Sequence, residues 1–123
     1  MKVFLDTSVL SDENREVTRA ELLGASGTGL ELYISSISHF QILWGYVIAK
    51  MSATNYHKFL EIAGVGIAPI IKADAEEAAR MKPDKADLLD ALIASSSKRY
   101  GAVVWTSDKD FLKFLPKSKV RVM

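Results

Sequence analysis

Two short apolar runs at opposite ends of the chain, Val3-Phe4-Leu5 and Ala102-Val103-Val104-Trp105, restrict the fold more than any other feature. Each is brief and rich in β-forming residues, the pattern of a buried strand. Each then runs directly into hydroxyls and a carboxylate: Asp6-Thr7-Ser8 after the first, Thr106-Ser107-Asp108 after the second. In open α/β sheets, ligands bind in the crevice outside the carboxyl ends of the strands. If the two strands are parallel neighbours, Asp6 and Asp108 meet at one edge of the sheet. A competing account of Asp6 and Ser8 is that one of them merely caps the helix that follows.

Between these runs, helical and extended patterns alternate. Residues 10–24 read as a helix, and Ser26-Gly27-Thr28-Gly29 as a turn. A strand is expected over 30–34, then a strongly apolar helix over 38–51 with serines 35, 36 and 38 as cap candidates. A third helix over 52–63 carries Tyr56, Phe59, Leu60 and Ala63 on one face. The strand expected over 67–71 contains Pro69, which suits an edge. Helices follow over 73–81, ended by Pro83, and over 87–100, with Gly101 as the C-terminal cap. A short helix over 110–115 and a strand over 120–122 close the chain. Strands alternating with helices predict an α/β fold with a largely parallel sheet. At 123 residues the expectation is one domain, spanning 1–123.

Charge and composition remove several function classes. The net charge of +1 gives no strong global pull toward nucleic acid or membrane. From Lys109 onward, however, five basic residues face a single acid, Asp110; exposed lysines of this kind are more often a solvated surface than a phosphate track. The absence of cysteine excludes disulfides, thiolate zinc sites and cysteine nucleophiles. No leader pattern or membrane-length apolar run is evident, so a soluble cytoplasmic protein is expected. His39 and His57 have no second histidine or cysteine at ligand spacing. Trp44 and Trp105 lie in apolar segments and read as core rather than as base-stacking platforms, and Gly45 as a point of close packing. The helix over 38–51 is apolar on more than one stripe, through Phe40, Leu43, Trp44, Val47, Ile48 and Met51. That excess points to a dimer or partner surface.

Asp87 and Asp90 lie three residues apart in the first turn of one helix, where the dipole favours negative charge. Capping accounts for Asp87. The residues around Asp90 carry more information. Phe-Leu-Asp-Thr-Ser at 4–8, Ser-Ser-Ile-Ser-His-Phe-Gln-Ile-Leu-Trp-Gly at 35–45, Asp-Ala-Leu-Ile-Ala at 90–94 and Thr-Ser-Asp-Lys-Asp-Phe at 106–111 occur in that order. Together they closely resemble the PIN-domain ribonucleases, in particular the small VapC-like toxins of toxin–antitoxin pairs. The resemblance implies a three-layer PIN-like domain, with a parallel sheet of about five strands between helices. It also implies an acidic pocket for Mg²⁺ or Mn²⁺, an RNA substrate and a possible antitoxin partner; a homodimer is expected from the apolar excess of the helix over 38–51. The family's first, third and fourth acids fall on Asp6, Asp90 and Asp108. Asp110 matches a frequent additional acid and Thr106 the hydroxyl that supports the pocket, with Thr7 and Ser8 beside it.

One position departs from the pattern. Where the resemblance leads one to expect Glu, this chain has Gln41, whose carbonyl oxygen brings no charge. A hard divalent ion prefers carboxylates, so one fewer weakens its binding. An active enzyme with low metal affinity, an impaired PIN-like module that binds RNA or a partner, and an engineered inactive form all remain open. The chemistry expected of the pocket is phosphodiester hydrolysis, in which one or two divalent ions activate water and relieve charge on the phosphate. Asp6 is the foremost ligand candidate, with Asp90 and Asp108 direct or through water. A phosphatase of the haloacid-dehalogenase type would need a second Asp two residues after Asp6; Ser8 stands there.

Overall fold

The computed structural model describes residues 1–11 and 29–123. In chain order the elements are β1 (Lys2–Leu5), α1 (Thr7–Ser11), β2 (Glu31–Ser35), α2 (Ser36–Ile48), α3 (Thr54–Ala63) and β3 (Gly66–Ala68). They continue with α4 (Lys72–Arg80), α5 (Leu88–Tyr100), β4 (Val103–Thr106) and β5 (Val120–Val122). Three 3₁₀ turns, Lys85–Asp87, Lys109–Lys113 and Lys117–Lys119, connect the later elements. The helix expected over 10–24 and the turn after it fall mostly outside the described residues. No helix among the described residues is long and apolar enough to cross a membrane.

The five strands form one sheet in the order β3-β2-β1-β4-β5, and every neighbouring pair is parallel. The chain builds outward from β1 in one direction, then returns to lay β4 on the other side of β1. The sheet therefore reverses its winding between β1 and β4, the kind of position where open α/β sheets form a crevice.

Alternation along the strands feeds two cores. Val3 and Leu5 of β1, Leu32 and Ile34 of β2 and Trp105 of β4 pack with Val9, Ile42, Tyr56, Phe59 and Leu60 on one face. Phe4 and Val104 point the other way, into a cluster with Ile93, Ala94, Phe111 and Leu115. A strand covered on both faces cannot spare alternate positions for polar residues, which is why these runs read as continuously apolar. The expected face of α3 is the buried one: Tyr56, Phe59, Leu60 and Ala63 all lie in the core.

Local chemistry sets the element ends, with some shifts from expectation. Ser35 caps α2 by accepting the Ile37 N–H at 3.1 Å, so this helix starts earlier than residue 38. β3 stops at Ala68 because Pro69 has no N–H to continue a ladder, and it is an edge strand as anticipated. Gly101 ends α5 in the left-handed conformation, φ 66°, that suits glycine. The short helix expected over 110–115 is the 3₁₀ turn Lys109–Lys113.

On the outer layer, α4 and α5 are joined through an ion pair that also caps a helix. Asp74 is 1% exposed. Its carboxylate accepts from Arg99 Nε at 2.9 Å and Nη2 at 3.1 Å, and from the Ile71 N–H at the start of α4 at 3.1 Å. Removing one partner of a buried pair leaves an uncompensated charge, which is far costlier than losing a surface bridge. Arg99→Met is expected to lower the unfolding free energy by about 3 kcal/mol in urea titrations; a loss under about 0.5 kcal/mol would place the pair in the surface class.

Candidate active site

The β1–β4 register builds the site. Leu5 pairs with Trp105, and the ladder runs one residue further, with the Asp6 N–H donating to the Trp105 carbonyl at 3.0 Å. Side chains two apart share a face, so Asp6 follows Phe4 and Thr106 follows Val104 onto the face that α5 covers. The two meet there: Thr106 Oγ1 donates to Asp6 Oδ2 at 2.9 Å. In α5, Ile93 and Ala94 pack in the cluster around Phe4. Asp90 lies one turn earlier on the helix, which carries it over the carboxyl end of the sheet. Asp6 and Asp90 line a cleft of ≈ 550 Å³ with Thr7, Ser8 and Gln41. Phe40, Trp44 and Leu89 complete its wall.

Asp6 is buried, and hydroxyls carry its charge. Ser8 Oγ donates to the same Oδ2 at 2.7 Å. Each hydroxyl also accepts a backbone N–H from the segment after β4: Ser8 from Ser107 at 3.0 Å, Thr106 from Asp108 at 2.9 Å. With both protons aimed at Asp6, neither hydroxyl has one left for the other, and their 3.2 Å approach is a contact rather than a bond. Among the described residues nothing hydrogen-bonds Asp6 Oδ1. The capping account of Asp6 and Ser8 is not what this geometry supports: neither side chain takes an N–H of α1.

Asp90 has no such support. Burial first, then the charges of Asp6, Asp108, Asp87 and Asp110, push its carboxyl from the ordinary 3.8 up to about 6. It is the group on which the acids of the site converge. Asp108 uses Oδ1 to accept the Asp110 N–H at 2.9 Å as the cap of the following 3₁₀ turn. Oxygens of Asp87, Asp90 and Asp110 lie within 4.8 Å of one another. Lys113 reaches two of them, at 3.0 Å from Asp87 Oδ2 and 3.3 Å from Asp110 Oδ1.

The PIN domain family model matches residues 3–114. The chain belongs to the PIN domain family. This PIN domain has the fold of a chain in the crystal structure of VapBC2 from Rickettsia felis bound to a DNA fragment from their promoter. The TM-score is 0.74 over 98% of each chain, at 18% sequence identity. No curated protein matches the sequence.

The donor set of this PIN domain fits a hard divalent ion. It consists of aspartate and hydroxyl oxygens, with no imidazole among the residues named and no thiolate in the chain. Burial first, and the neighbouring acids second, raise the Asp90 carboxyl. Asp87 is the residue that sequence reasoning missed. It holds the N-cap position of α5, but its side chain makes no cap bond and pairs with Lys113 instead. Its three-residue spacing from Asp90 was the available signal.

Other expectations need correction. Trp105 is core, at 4% exposure, but Trp44 is 58% exposed and lies on the cleft wall. Gly45 admits no close neighbour: a Cβ there would meet nothing within 4 Å. Gln41 lines the cleft as anticipated, but its Oε1 already accepts the Thr7 hydroxyl at 2.7 Å, so its carbonyl is partly committed. His39 is partly packed, its Nδ1 2.7 Å from the Tyr56 hydroxyl.

The Asp90 shift has a definite sign in stability. With its folded pKa above its ordinary value, the folded state binds the proton more tightly between about pH 4 and 6. Stability of the metal-free protein must therefore fall as pH rises through that window. For a half-buried group reached by water, the loss is roughly 1–2 kcal/mol. Calorimetric melts in EDTA should give a higher Tm at about pH 5 than at about pH 7.5, and Asp90→Asn should flatten most of that difference. If Asp90 served only as a first-turn helix charge, the Asn variant would instead melt lower near neutrality.

Proposed function

We propose that this protein is a divalent-metal-dependent endoribonuclease acting in the cytoplasm as the toxin of a toxin–antitoxin pair. The observation that carries the reading is the gathering of Asp87, Asp90 and Asp110 oxygens within 4.8 Å, beside the cleft that Asp6 and Asp90 line. Membership of the PIN family and the fold shared with a VapBC2 chain support it.

Asp6, Asp90 and Asp108 would hold Mg²⁺ or Mn²⁺, with Asp110 alongside. Such an ion supplies charge relief on the phosphodiester and activation of a water. The chain's own residues do the positioning. Ser8 and Thr106 fix Oδ2 of Asp6, so Oδ1 remains for the ligand. Asp90, which lines the cleft with Asp6, would serve as an ionised ligand once the cation is bound. Phe40 and Trp44 offer exposed aromatic faces to unpaired bases of a single strand. At the end of α2 and just beyond it, Val47, Ile48 and Met51 are each more than 60% exposed, a surface suited to an antitoxin or a second copy.

Gln41 favours a second reading, an impaired PIN domain that binds RNA or a partner without cutting. The pocket lacks one carboxylate there, and Thr7 engages the amide oxygen. Purified protein with Mn²⁺ should cut single-stranded RNA, and EDTA or Asp6→Asn should abolish the cutting. Cleavage that survives both treatments would refute the metal mechanism. RNA binding without cleavage would select the second reading, and more firmly if Gln41→Glu then cuts. In calorimetric titration, Gln41→Glu is expected to tighten Mn²⁺ about tenfold, or ~1.4 kcal/mol.

A further inference from the structure

Lys113 is the cation already inside the acidic cluster. It belongs to the 3₁₀ turn Lys109–Lys113, where residues three apart eclipse one another, so the spacing of Asp110 and Lys113 stacks ammonium on carboxylate. The contact is 3.3 Å, a pair that would count for little on an open surface. The other contact is of a different kind. Asp87 is 5% exposed, its helix makes no use of its side chain as a cap, and Lys113 Nζ lies 3.0 Å from its Oδ2. A buried carboxylate needs a partner, and among the described residues Lys113 supplies it.

These two acids and Asp90 gather their oxygens within 4.8 Å, room for one cation. Asp90 also lines the cleft together with Asp6. The pocket thus divides into two cation positions that share Asp90. Resting on the metal-dependent reading above, we infer that Lys113 is a tethered cation occupying the second position. The site then takes one divalent ion, at Asp6, Asp90 and Asp108, instead of two. A second ion could enter only by expelling the ammonium, since both would repel at this range. The expulsion is sterically open, because the Lys113 side chain is 53% exposed. Lys113 is accordingly a positioning residue that sets metal stoichiometry.

The test counts ions. Mn²⁺ alone is titrated into the full chain at neutral pH, with bound ion read by calorimetry and free ion by electron paramagnetic resonance. Wild type and Lys113→Arg should bind one Mn²⁺, and Lys113→Met two. Adding Asp87→Asn to Lys113→Met should return the count to one. A purely structural salt bridge would lower the melting temperature of Lys113→Met without changing its count, and that result overturns the inference. A count of two in wild type overturns it as well. If Lys113→Met does not fold, Lys113→Gln, whose amide still donates to Asp87, is read in its place with the same expectation. A single wild-type site lost in Asp6→Asn, with no second ion in either neutral variant, refutes the role of Lys113 and leaves the metal-dependent reading intact. No Mn²⁺ binding by wild type at all refutes both.

Discussion

Between Leu5 and Trp105 the sheet joins two backbone segments a hundred residues apart in the chain, and the site depends on that pairing. Closing so long a loop is entropically costly, though the cost grows only slowly with length. It is offset by apolar burial on both faces: Val3, Phe4, Leu5, Val104 and Trp105 are all at or below 4% exposure. At roughly 1.5–3 kcal/mol for each large side chain removed from water, this core outweighs what any polar bond at the sheet edge contributes. The hydroxyl–carboxylate contact of Thr106 and Asp6 is therefore imposed by the register. A one-residue slip of β1 against β4 would turn Asp6 to the opposite face, away from Thr106 and α5.

Five aspartates near one sheet edge would repel strongly if each faced only the others, and the fold answers them individually. Two hydroxyls hold Asp6, each oriented by a backbone amide of the neighbouring loop. Asp108 accepts an amide from its own turn. Asp87 and Asp110 share an ammonium. Among the described residues Asp90 has no such partner, and burial together with the neighbouring acids makes it hold its proton to a higher pH. These arrangements make the edge an acidic cluster and not only a set of helix caps.

Much of this was legible in the sequence, for identifiable reasons. Val3-Phe4-Leu5 and Val103-Val104-Trp105 announced themselves because both their faces are buried. The α3 face was readable because Tyr56, Phe59, Leu60 and Ala63 follow the helical repeat and no other apolar stripe competes. In α2 several stripes compete. Counting apolar residues there does not tell which stripe meets the core, and Trp44 came out exposed while Ile42, not among the six apolar residues singled out, is buried. Gly45 misled for the same reason, since it lies where nothing approaches.

Asp87 marks a different limit. Its position was correct and its bond was not. A side-chain cap requires the extended backbone seen at Ser35, φ −61° and ψ 146°, which swings the side chain back over the first turn. Asp87 is the last residue of a 3₁₀ turn and has φ −109° and ψ 10°, so its carboxylate does not reach those amides. It is then available to a lysine 26 residues later. Helix starts are visible one residue at a time, whereas the backbone angle at the start is inherited from the preceding turn. That angle decides whether an aspartate closes its own helix or turns outward to join the charges of the site.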